Sequence, residues 1–140
     1  MKGFFSTLFV LIAVGAIAWL GYQAVDSHIR AQDTVGVAHE AFDYINEERK
    51  SDGIHPLVWN SELERLAIKH SQWMKDNDML VHSSYKYAEC VLQGGDIFSN
   101  GWQVYHPWRD SWRHASIMCD SEYTRGAIGI VDKYATFLAR

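Results

Sequence analysis

Nineteen consecutive residues, Gly3 to Gly21, carry no charge, and Phe, Leu, Ile, Val, Ala and Trp dominate them. An uncharged apolar run of about 18 residues or more can span the hydrocarbon core of a bilayer. Lys2 precedes the run, and Asp26, His28, Arg30 and Asp33 follow it. Phe4 and Phe5 at one end and Trp19 and Tyr22 at the other suit interfacial positions. The competing reading is a cleaved signal peptide, with Phe4–Gly15 as its apolar region and Ala16-Ile17-Ala18 as a small-x-small cleavage signature. Against cleavage, the apolar residues continue through Trp19, Leu20 and Tyr22. Either way residues 31–140 are delivered across a membrane. The expected layout is an N-terminal signal-anchor or transmembrane segment over 1–30 and an extracytoplasmic domain over 31–140. The expected location is the cell membrane, single-pass, or secretion if the segment is removed.

The chain has 13 Lys+Arg and 17 Asp+Glu, of which residues 1–30 hold Lys2, Arg30 and Asp26. The exported part therefore has a formal charge of −5, and no basic stripe is interleaved with aromatics, which argues against a nucleic-acid partner. About 110 residues can bury one modest core. Cys90 and Cys119 make an even count, which in an oxidising compartment favours one disulfide; two buried thiols are the alternative.

Ala38, Phe42, Ile45 and Arg49 fall at helical spacing, so Thr34–Lys50 reads as helix, ended by Ser51-Asp-Gly53. Pro56-Leu-Val-Trp59 reads as a short extended segment. Ser61-Glu-Leu-Glu64 has the form of a capping box, opening a helix whose apolar stripe is Leu63, Leu66, Ala67, His70, Trp73 and Met74, to about Lys75. Tyr85, Tyr87 and Glu89 alternate as in an extended stretch. Pro107 suits the first turn of a short helix through Trp112. Tyr123–Val131 and Tyr134–Ala139 flank Asp132-Lys133 as a hairpin, with Gly126 and Gly129 allowing another backbone to approach. Helices first and strands last predict an α+β fold rather than a wound parallel sheet.

The order of motifs resembles the CAP superfamily of cysteine-rich secretory, antigen five and pathogenesis-related proteins (the SCP domain), in its short prokaryotic form. The residues that carry the likeness are Asn46 and Arg49 in the first helix, Pro56-Leu57-Val58-Trp59, His82, Ala88-Glu89-Cys90 at the place of a "GEN" motif, and Trp108-Arg-Asp-Ser111-Trp-Arg-His114 at that of a "W-x-x-S-x-x-H" signature. It covers about Val35 to Ala139. The resemblance implies an α-β-α sandwich and a cleft that holds His82, Glu89 and His114. Ser111 stands near the place of a second cavity glutamate in eukaryotic members, Cys90 replaces the asparagine of "GEN", and a "GHYTQ" motif is absent. With this frame, Cys90–Cys119 becomes an expected staple behind the cleft.

Three chemistries remain open for the trio. Two imidazoles and a carboxylate suit zinc or another divalent metal. Without metal they suit acid–base work, with Glu89 orienting a histidine. Or they form a structural network. A Ser/His/Glu hydrolase can be drawn with Ser111, though no strained nucleophile turn or oxyanion loop accompanies it. His70 reads as a satisfied core or boundary residue, and His39 as solvated. His55 and His106, each before a proline, read as loop residues, and His28 lies at the membrane exit. Most tryptophans read as core, with Trp108 and Trp112 flanking the cleft and Trp108 counted among the ligand-binding residues. The function expected is binding of an extracytoplasmic peptide, lipid or envelope component. The alternatives are a metal- or His/Glu-dependent hydrolase and a structural surface module.

Overall fold

A computed structural model describes residues 2–140, except the side chains of residues 2–14 and 27–33. The elements in order are α1 (Lys2–Ser51), β1 (Val58–Trp59), α2 (Ser61–Asn77), β2 (Ala88–Gln93), α3 (Trp102–Asp110), α4 (Trp112–Met118), β3 (Arg125–Val131) and β4 (Tyr134–Ala139). The chain divides into two compact units, Met1–Gln32 and Asp33–Arg140. Most of the apolar run from Gly3, including the Phe4–Phe5 end, lies outside the described side chains, as does His28. Among the described residues no helix is long and apolar enough to cross a membrane.

In the second unit four strands form one sheet in the order β1-β3-β4-β2. β1 runs parallel to β3, while β3–β4 and β4–β2 are antiparallel. Side chains along a strand alternate between faces, and the burial follows that rule. Cys90, Ile128, Ile130, Ala135, Phe137 and Ala139 meet Ala38, Ala41, Phe42 and Ile45 of α1 and Val104 and Trp108 of α3 in one core. On the opposite face Ala127 and Leu138 meet Leu63 and Ala67 of α2, and Met74 packs with Val91 and Tyr134. The sheet thus has helices on both faces, the α+β sandwich expected.

Close layer packing depends on two glycines. A Cβ on Gly129 would collide with the backbone of α2 at Ala67 and Ile68, and one on Gly101 with the backbone of α1 at Glu40 and Ala41. The first contact is the backbone approach anticipated for the hairpin. The hairpin turn closes with Asp132 at φ 59°, the left-handed conformation that an aspartate tolerates better than most residues.

Several local expectations shift. The α2 cap is Asn60, whose Oδ1 accepts from Leu63 N at 3.0 Å. Glu64, expected to close a capping box, instead accepts from Trp59 Nε1 at 3.1 Å. Pro107 lies inside α3 instead of opening a helix, and His106 beside it is helical rather than in a loop. His39 is exposed as expected, yet stacks on Trp59 with centroids 3.9 Å apart.

Arg49 is fully buried and ties the layers together. Its guanidinium donates to the carbonyls of His55 (3.0 Å), Met118 (2.7 Å), Asp120 (3.0 Å) and Tyr123 (2.9 Å). A planar five-donor fork can reach several oxygens at once, which an ammonium on a flexible stem cannot. Asn46 likewise brackets Leu57, donating to its carbonyl and accepting from its N–H.

Candidate functional site

The site lies at the β2 edge of the sheet. Glu89 is the second residue of β2 and pairs in register with Leu138, which faces α2. Cys90 pairs with Phe137 and faces the other layer, where its Sγ donates to the His114 carbonyl at 3.8 Å. Strand alternation therefore directs the Glu89 carboxylate toward α2 and the segment after it, while the next residue touches α4.

That segment, residues 78–87, carries His82. Its Nδ1 lies 2.7 Å from Glu89 Oε2, and the Ser83 N–H donates to the same oxygen at 2.9 Å. A carboxylate only accepts, so Nδ1 carries the proton and the Nε2 lone pair of a neutral His82 is left outward. The His82 side chain is 64% exposed and that of Glu89 only 7%. A solvent-reachable imidazole is thus oriented by a buried carboxylate. Glu89 Oε1, by contrast, has no hydrogen-bond partner among the described residues although it is buried. Burying a polar atom unpaired costs free energy that a bound donor can recover.

His114, in the first turn of α4, is partly buried. Burial first, and the neighbouring His82 charge second, hold its pKa below the ordinary imidazole value. His114 is therefore within electrostatic range of His82, although among the described residues no hydrogen bond joins its ring to His82 or Glu89.

Other expected members are placed elsewhere. Trp108 is fully buried, with Nε1 donating to the Val91 carbonyl at 3.3 Å. It is core rather than ligand-binding, because α3 turns that face onto the sheet. Trp112 remains 75% exposed. Ser111 sits in extended conformation between α3 and α4, and among the described residues its hydroxyl makes no bond to His114. Cys90 and Cys119 are both free thiols rather than the expected bridge. Cys90 is directed at the His114 carbonyl, and Cys119 lies in the field of Glu48, Asp52 and Arg49.

The metal expectation also lacks its cluster. Among the described residues no group of three or more His, Cys, Asp or Glu side chains could hold an ion. His82 Nδ1 and Glu89 Oε2 are engaged with each other rather than with a shared ion. The residue that sequence reasoning missed is His70. Buried on α2, it donates from Nε2 to the Val81 carbonyl at 2.8 Å and lies 3.9 Å from Glu89 Oε1. The only sequence signal was a titratable side chain on an otherwise apolar stripe.

A family model described as "CAP: Cysteine-rich secretory protein family" matches residues 42–137, more than half of the chain. The chain belongs to the CAP family. It is 26% identical over 111 residues to a Bacillus subtilis protein named "Uncharacterized membrane protein YlbC", covering 69% of this chain and 32% of that one. Among solved structures it resembles an extracellular SCP-domain protein of Bacillus anthracis (TM-score 0.69, 23% identity, 76% of this chain, 40% of the other). It also resembles a cysteine-rich secretory protein of Staphylococcus aureus (0.58, 20%, 76% and 38%) and an outer surface protein of Borrelia burgdorferi (0.59, 14%, 71% and 88%). The chain thus spans about a third of the curated relative it matches and less than half of the first two structures. At these identities the structural likeness shows the fold.

Proposed function

We propose that this CAP domain works outside the cytoplasm, held at the membrane by its N-terminal apolar segment, and binds a surface ligand in the cleft of His82, Glu89 and His114. The observation that carries the reading is Glu89. One oxygen is satisfied by His82 and Ser83, while the other is buried with no hydrogen-bond partner among the described residues, close to an exposed, oriented imidazole. A ligand that offers one hydrogen-bond donor to Oε1 and a second donor or acid to the Nε2 lone pair of His82 would satisfy both. Peptide fragments, lipid headgroups and envelope components all carry such pairs. The tether reading is supported by the uncharged run and by Ile17, Trp19, Leu20, Tyr22 and Val25, each at least 60% exposed, an apolar surface that suits lipid better than water. The names of the relatives, a membrane protein, an extracellular protein and an outer surface protein, agree with this placement.

The test is titration of the protein with fractionated envelope extracts while the imidazole NMR resonances are followed. Shifts of His82 and His114 that vanish in Glu89→Ala support the cleft. Silent imidazoles while other resonances move would relocate the site.

A hydrolase is the second reading, favoured by the same His82–Glu89 orientation, which suits a general base acting on water. Turnover of a peptide or ester library must then disappear in Glu89→Ala while the fold persists.

A further inference from the structure

His70 belongs neither to the motif frame nor to the trio, yet it holds the piece of chain that carries His82. It sits on the buried face of α2 with its ring near those of Trp73 and Tyr85, at centroid separations of 6.2 Å each. The Val81 carbonyl can only accept, so the 2.8 Å contact fixes the proton on His70 Nε2. The same nitrogen lies 3.9 Å from Glu89 Oε1, too far for a hydrogen bond, but near enough for its N–H dipole to offset part of the cost of burying that oxygen.

Three consecutive residues are thereby gripped from two elements. His70 of α2 holds the Val81 carbonyl, and Glu89 of β2 holds the His82 ring and the Ser83 amide. Anchoring the Val81 carbonyl fixes the peptide plane that leads into His82. With that plane fixed, Nδ1 reaches the carboxylate and Nε2 faces out.

We propose that His70 is a positioning residue of the cleft, acting through the Val81 carbonyl and Glu89 to keep His82 in the Nδ1–H tautomer with its Nε2 lone pair presented to a ligand. Its use rests on the cleft reading, but its geometry does not depend on what the ligand is.

The experiment needs no ligand. Long-range nitrogen–proton NMR of the imidazoles, about two units above the ordinary imidazole pKa of about 6.5, reads each neutral tautomer directly. The wild-type protein should show His70 as Nε2–H and His82 as Nδ1–H. His70→Gln, whose amide nitrogen occupies the place of Nε2, should keep the His82 signal. His70→Asn, whose amide stops at the place of Nδ1, and His70→Leu should lose its dominance. The proposal is overturned if wild-type His70 is Nδ1–H, or if His82 stays Nδ1–H in His70→Leu. Should the leucine variant not fold, equal His82 tautomers in the glutamine and asparagine variants overturn it instead. His82 tautomers that respond as stated, while envelope extracts shift no imidazole, would uphold the positioning role and remove the ligand reading.

Discussion

The Nδ1 of His82 and the Oε2 of Glu89 meet at 2.7 Å although the first residue lies in a connecting segment and the second in an edge strand. The bond joins an exposed ring to a buried carboxylate. It orients a ring that is largely exposed to solvent.

Glu89→Ala removes the acceptor of both His82 and Ser83. We expect a loss of about 1–3 kcal/mol in urea unfolding, the range for leaving such donors unmade. Glu89→Gln, which keeps a side-chain carbonyl as acceptor, should lose less. Equal stability of the alanine variant and wild type would reject the clamp.

The lowered pKa of His114 has a definite consequence for acid stability. Burial and the His82 charge make its protonation less favourable in the fold than in the unfolded chain. Its contribution is complete above the ordinary imidazole value of about 6.5. It is lost as pH falls from there to the lowered folded value. NMR titration should place the His114 midpoint below that ordinary value, and His82→Ala should raise it part of the way back. His114→Gln should flatten the decline of the urea midpoint over the same window.

Gly129→Ala should destabilise by about 3 kcal/mol or more, the upper range for overpacking, because its Cβ would strike the backbone of α2, which cannot rotate aside. Thermal melting checks this. Gly95→Ala, where a Cβ meets nothing within 4 Å, serves as the control.

The thiols should differ from ordinary free cysteines. Burial first, with Glu89 second, pushes Cys90 far up. Burial followed by Glu48 and Asp52 raises Cys119, against the opposing pull of Arg49. Since the thiolate is the reactive form, native protein at neutral pH should alkylate slowly at Cys119 and not at Cys90. Both should react fully on unfolding, and mass spectrometry counts the modified sites. A protein that yields no free thiol on unfolding without reductant would restore the bridge.

Arg49→Lys is not a conservative change here. One ammonium cannot serve the carbonyls of His55, Met118, Asp120 and Tyr123 together. Those of Asp120 and Tyr123 keep second contacts, to the Tyr123 N–H and His55 Nε2. A buried acceptor left unpaired, such as that of Met118, costs about 1–3 kcal/mol. We expect a loss of at least about 2 kcal/mol in urea unfolding, with faster hydrogen exchange in the chain after α4, Asp120–Tyr123. Exchange unchanged there would show that the guanidinium does not hold it.

Periodicity in the chain was enough to read α2, the late hairpin and the α+β class, because a 3.6 or 2.0 repeat of apolar side chains records which side of an element is covered. The sandwich came from the family resemblance. Motif order was enough to bring His82 and Glu89 forward as partners. Neither repeat nor order says which element supplies the cover. Trp108 therefore read as a cleft residue until α3 was seen pressed on the sheet, and the two cysteines read as a pair until strand alternation sent Cys90 toward His114. His70 read as core, and it is buried, yet its neighbours come from Val81 and from Glu89 on another element. Local propensity is written in neighbouring residues, whereas the partners of a buried polar atom are chosen by packing between segments distant along the chain. The first the sequence determined alone; the second only the tertiary structure decided.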